Sequence, residues 1–128
     1  KAQQFHWNVE GDDFPQYHTF LGNLYEEVDG VIDQIGEFIR TLDEYTPGSF
    51  ERFAELSEIG SQLRVPRAKL MLEELLANNT QVIELLNRCF ESATKERQEG
   101  VANFLAERID AHGKHGWMLR SFLRDQRA

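Results

Sequence analysis

Four histidines, His6, His18, His112 and His115, are the side chains best suited to do chemistry in this chain. An imidazole near neutral pH can bind a metal or move a proton. Other catalytic vocabulary is missing: there is no Gly-rich phosphate loop, no Cys-x-x-Cys pair and no Gly-x-Ser-x-Gly elbow. There is also no Glu-x-x-His, the unit that supplies di-iron ligands from facing helices of a bundle, which counts against an ordinary centre inside one subunit. The single cysteine, Cys89, falls on an apolar helical stripe and is expected to be a buried small hydrophobe rather than a nucleophile. What remains is His6 and His18, followed by Asp33 and Glu37. The two carboxylates are spaced i, i+4, so they share a helix face, as two ligands of one hard cation must.

The elements that position these residues are marked by three prolines, Pro15, Pro47 and Pro66. From Tyr17 through Leu21, Leu24, Val28, Val31, Ile35 and Phe38 to Leu42, apolar residues recur in steps of three and four, the mark of one amphipathic helix. Asp13 is its expected cap, Pro15 lies in its first turn, and it is expected to run to about Glu44. Pro47-Gly48 is a turn, and Ser49 is placed to cap a short helix carrying Phe50, Phe53 and Leu56. A second long helix starts at Pro66 and keeps its stripe to about Arg97, with Gly100 as the expected break before a third. Ahead of Pro15, Lys1 to Val9 is rich in helix formers and resembles the last turns of a helix truncated at its N-terminus. The expectation is an all-α protein of one domain, residues 1–128: a four-helix bundle with a short extra helix in the connection between its second and third helices.

This architecture poses a distance problem. His6 near the end of the first helix and His18 near the start of the second can be neighbours, because the chain reverses between them. On one straight helix, however, His18 and Asp33 stand about 22 Å apart, at 1.5 Å per residue. They cannot serve one metal in one subunit. Either there is no common site, or a second copy of the chain completes it across a two-fold axis.

Composition narrows the function classes. The formal net charge is −8, from 22 acidic and 14 basic residues, which suits attraction of cations and opposes a surface that coats nucleic acid. No apolar run approaches the ~20 residues of a membrane helix. A lone cysteine forms no internal disulfide and points to a reducing, cytoplasmic home.

His6-Trp7-Asn8-Val9-Glu10-Gly11 resembles the His-Trp-Asn-x-x-Gly signature of the Dps family, the mini-ferritins of the ferritin-like superfamily. His18, twelve residues after His6, matches the family's second histidine, and Asp33 with Glu37 matches its Asp-x-x-x-Glu. Leu24-Tyr25-Glu26-Glu27 and Lys114-His115-Gly116-Trp117-Met118-Leu119-Arg120 resemble two further family blocks, so the similarity covers the whole chain. The resemblance implies a ferritin-like bundle that closes as a hollow homododecamer. It implies inter-subunit ferroxidase centres in which His6 and His18 of one subunit meet Asp33 and Glu37 of its two-fold partner. There Fe(II) is oxidised by hydrogen peroxide or O2 and stored as ferric mineral. Such an imidazole and carboxylate shell suits iron and also admits zinc or manganese. Trp7 would stand beside the metal.

Two positions depart from the family pattern. Gly22 replaces the aspartate usual one turn after the second histidine, leaving water or Glu26 to fill the place, and Asn103 replaces a pore-lining aspartate. An alternative is therefore a metal-binding or DNA-protecting cage without turnover. DNA binding is expected to be weak or absent: Arg120, Arg124 and Arg127 form only the modest basic cluster ordinary at a helix C-terminus. His112, between Ile109 and Leu119, is expected to be a satisfied core histidine rather than half of a metal pair with His115. Trp117 is expected to pack, and Gly30 and Gly36 to mark close helix approach rather than function.

Overall fold

The structure is a computed structural model, and it describes residues 1–124. Arg127 of the basic cluster lies outside the described residues. Helices are the only regular elements among them, and they fall into two compact units that divide between Val65 and Pro66.

The first unit holds α1 (Ala2–Asn8), α2 (Phe14–Asp29), α3 (Ile32–Thr41) and α4 (Phe50–Leu56). α1 stops because Val9 turns to extended backbone while its N–H still reaches the Phe5 carbonyl. Gly11 follows at φ +117°, where a Cβ would be strained, and the chain turns back into α2, which packs antiparallel on α1. Asp13 occupies the N-cap position of α2 but makes no side-chain capping bond; Pro15 sits in the first turn, where no N–H is needed. Phe5 and Leu21 are fully buried and Val9 and Leu24 nearly so, each worth roughly 1.5–3 kcal/mol of burial.

The single helix expected from Asp13 to Glu44 is interrupted. The Gly30 N–H bonds to Glu26 O in the α pattern, but Val31 bonds three residues back to Val28 O, at 3.4 Å, before the α pattern resumes with Ile35 to Val31. A glycine at the joint, about 1 kcal/mol poorer than alanine in a helix, lets the ladder slip there. α3 then ends at Thr41, earlier than expected, with Asp43 at φ +63°, a conformation aspartate tolerates better than most residues. Gly36 corrects its expectation, since the segment that meets it is a loop and not a helix: Thr46 Oγ1 donates to its carbonyl at 2.6 Å. Ser49 caps α4 as expected, accepting the Arg52 N–H at 3.2 Å.

The second unit is an antiparallel pair, α5 (Ala68–Lys95) and α6 (Glu99–Leu123). Their break falls at Glu96–Gln98, with Arg97 at φ +58°, and Gly100 lies inside the first turn of α6 rather than at the break. Met71, Leu72, Leu75, Ala93, Ala102, Phe104 and Leu119 form the apolar core. Cys89 corrects its expectation: it is exposed. The inward side of the helix passes through half-buried Phe90 and buried Ala93, and one residue's step of about 100° turns Cys89 to the side.

Candidate metal centre

His6 and His18 are together. Their rings stack with centroids 3.8 Å apart and planes 15° from parallel. Each ring also bonds the other residue's backbone: His6 Nδ1 lies 2.7 Å from His18 O, and His18 Nδ1 lies 2.8 Å from His6 O. A carbonyl oxygen only accepts, so both Nδ1 atoms must carry the proton. In the neutral rings both Nε2 atoms then carry the lone pair, the form a metal takes. Outer hydrogen bonds of this kind fix tautomer and ring orientation for a metal-binding histidine. The bond from His18 has a local reason too: His6 O is one of the carbonyls at the C-terminus of α1 that the helix cannot satisfy itself.

Phe14 stacks on the far face of His18, centroids 5.0 Å apart, and Tyr25 lies tilted against His6 at 5.4 Å. Neither was named as part of the site from sequence. The signal was present: Phe14, His18, Gly22 and Tyr25 recur at steps of four, four and three, one face of α2.

Position 22 lies against the Cε1–Nδ1 edge of the His6 ring. Gly22 is buried, and a Cβ there would come within 2.8 Å of His6 Cε1 and 3.0 Å of Nδ1. The space next to the helix at Gly22 is thus taken by an imidazole.

Asp33 and Glu37 stand one turn apart on α3, both exposed, and Glu26 is exposed on α2. No group of three or more His, Cys, Asp or Glu that could hold an ion is found among the described residues, so the carboxylates do not join the imidazole pair within the chain. Trp7, next to His6, is 67% exposed.

The other two histidines behave differently. Asn79 Nδ2 donates to the His112 carbonyl at 2.8 Å, which turns Asn79 Oδ1 toward His112 Nδ1, also at 2.8 Å. Arg108, which can only donate, lies 3.2 Å from His112 Nε2. Both ring nitrogens of His112 are therefore engaged by protein, and the ring is buried, as expected of a core histidine. His115 meets it edge-on at 5.1 Å.

Comparison with known proteins identifies the family of the chain. The model of the ferritin-like domain family matches residues 1–128. The chain is 34% identical over 128 residues to an uncharacterized low temperature-induced protein of Nostoc sp. strain PCC 7120, covering 98% of this chain and 72% of that protein. It is 28% identical over 123 residues to DNA protection during starvation protein 2 of Bacillus anthracis, covering 96% and 84%. The crystal structure of Dps from Staphylococcus aureus superposes with a TM-score of 0.93 at 25% identity, covering 98% of this chain and 84% of that one.

The chain is a ferritin-like protein of the Dps family.

Its fold class is accordingly the ferritin-like four-helix bundle, with α4 as the short extra helix between the second and third bundle helices. The general setting of a Dps-family protein is iron storage in a homo-oligomeric cage. No helix of the described residues is long and apolar enough to cross a membrane.

Proposed function

We propose that this chain assembles as a homododecameric cage and oxidises Fe(II) at centres shared between two subunits. His6 and His18 supply two neutral Nε2 donors from one subunit, and Asp33 and Glu37 act as carboxylate donors toward the same ion in a two-fold partner. The imidazole pair carries this reading: two lone pairs on adjacent rings, each ring held by the other's carbonyl. Iron is the substrate, and zinc is its redox-silent substitute.

The division of labour follows from the residues. The imidazoles bind and orient the ion, while carboxylates offset the positive charge that grows as Fe(II) becomes Fe(III). With peroxide, two Fe(II) give up two electrons, and H2O2 takes them with two protons to leave as two waters. Phe14 stacks on the His18 ring and Tyr25 lies tilted against the His6 ring, so both limit water beside the pair. The ferric product is stored in the cage, and the protein works in the cytoplasm, where its exposed Cys89 stays reduced.

One observation favours a second reading, a metal-binding cage without turnover: Gly22 brings no carboxylate beside the pair. Anaerobic Fe(II) followed by stoichiometric peroxide separates the two. Rapid growth of ferric absorbance in a twelve-subunit particle supports the first. Iron bound without peroxide-dependent oxidation supports the second, and a stable monomer by light scattering ends both.

A further inference from the structure

Gly22 is the one helical glycine of α2, and it is buried. The ordinary reason for a buried helical glycine is close backbone approach by another helix. Here the nearest foreign atoms are instead three ring atoms of His6, Cε1 at 2.8 Å, Nδ1 at 3.0 Å and Nε2 at 3.6 Å from an added Cβ. The ring cannot give way freely. Its Nδ1–H is tied to His18 O at 2.7 Å, its one face lies on His18 and its edge meets Tyr25.

We propose that Gly22 is a positioning residue for the metal centre: its missing side chain is the seat that lets the Nδ1–Cε1 edge of the His6 ring come up against α2, stacked on His18 with Nε2 free. Any Cβ at this position pushes the ring outward and breaks either the stack or the bond to His18 O. The chain thereby exchanges an additional oxygen donor for a fixed pair of nitrogen donors. Two fixed imidazole donors beside the two carboxylates favour borderline ions such as Fe(II), Zn(II) and Co(II) over Mg(II), which suits an all-oxygen shell. This inference rests on the proposed centre only for its metal consequences; the seat itself is a property of the metal-free fold.

The test is Gly22→Ala in the assembled protein, with Gly113→Ala as control, since Gly113 is also helical but has open space around its Cβ position. Zinc calorimetry is expected to show affinity lowered ~10–100-fold by Gly22→Ala, the usual effect of disturbing a residue that orients a ligand, and unchanged by Gly113→Ala. Melting of the metal-free protein supplies an independent readout through a cycle with His6→Ala. With His6 present, Gly22→Ala is expected to lower the melting temperature. Once the ring is removed, the same substitution is expected to raise it, as any Gly→Ala in a helix does. Equal effects of Gly22→Ala in both backgrounds, or zinc affinity within twofold of the parent, would overturn the proposal. If the parent itself binds no zinc, the proposed centre fails, and the melting cycle still decides whether the seat exists.

Discussion

Replacing His18 with phenylalanine and with alanine separates what its ring does for stability from what it does for metal. His18→Ala removes the stack on His6, worth ~0.5–1.5 kcal/mol for an aromatic pair, and the bond from Nδ1–H to His6 O, worth ~0.5–1.5 kcal/mol. The sum is about 2 kcal/mol. For a chain of 128 residues each kcal/mol moves the melting temperature by roughly 3–6 °C, so a drop of about 6–12 °C is expected. His18→Phe keeps a ring between Phe14 and His6 and loses only the hydrogen bond, so about half that drop is expected. Both variants lose one of two Nε2 donors, and zinc affinity should fall by more than the ~10–100-fold typical of losing a mere orienting partner. Differential scanning calorimetry on metal-free protein and zinc titration at matched protein concentration measure the two effects. Phenylalanine melting as low as alanine would show that the stack contributes nothing. Zinc affinity retained in either variant would remove His18 from the ligand set.

Subunits carrying His18→Ala mixed with subunits carrying Asp33→Ala are expected to regain peroxide-dependent iron oxidation, because some interfaces then join an intact His18 to an intact Asp33; no recovery after verified subunit exchange would refute a shared centre. Asn79→Ala is expected to cost about 1–3 kcal/mol in chemical denaturation, since it removes the acceptor of the buried His112 Nδ1–H, and a cost under 1 kcal/mol would show that water replaces the amide. With a net charge of −8, the chain is expected to give no gel shift of duplex DNA at physiological salt; binding that persists there would contradict the electrostatic reasoning.

Periodicity made the helices legible, because burial of one face writes itself into steps of three and four. It failed where backbone geometry, not burial, decides: the slipped bond at Val31 interrupts a stripe whose apolar spacing continues undisturbed from Val28 to Ile35. It also misled where a polar residue carries the stripe. Asn79 fills the gap between Leu75 and Val82 because His112 gives it two partners, and Arg108 is buried on α6 through the same ring. Cys89 was misplaced by a single residue of helical rotation. At the site, the pairing of His6 with His18 was legible from the chain reversal between α1 and α2. The seat at Gly22 was not, because a glycine in sequence looks the same whether it faces empty space or an imidazole.

The mutual bonds of His6 and His18 have a thermodynamic consequence for capture of an ion. A free histidine side chain samples several rotamers, and freezing two of them at the moment of binding would oppose affinity by an entropy of order 1 kcal/mol per ring. Here both rings are immobilised when the chain folds, each by a carbonyl and by its neighbour's face. An ion held as proposed would meet donors that need no conformational search, so little of its binding energy would be diverted to ordering them. Preorganisation of this kind is a property of the chain's own fold, set by two hydrogen bonds and one ring stack.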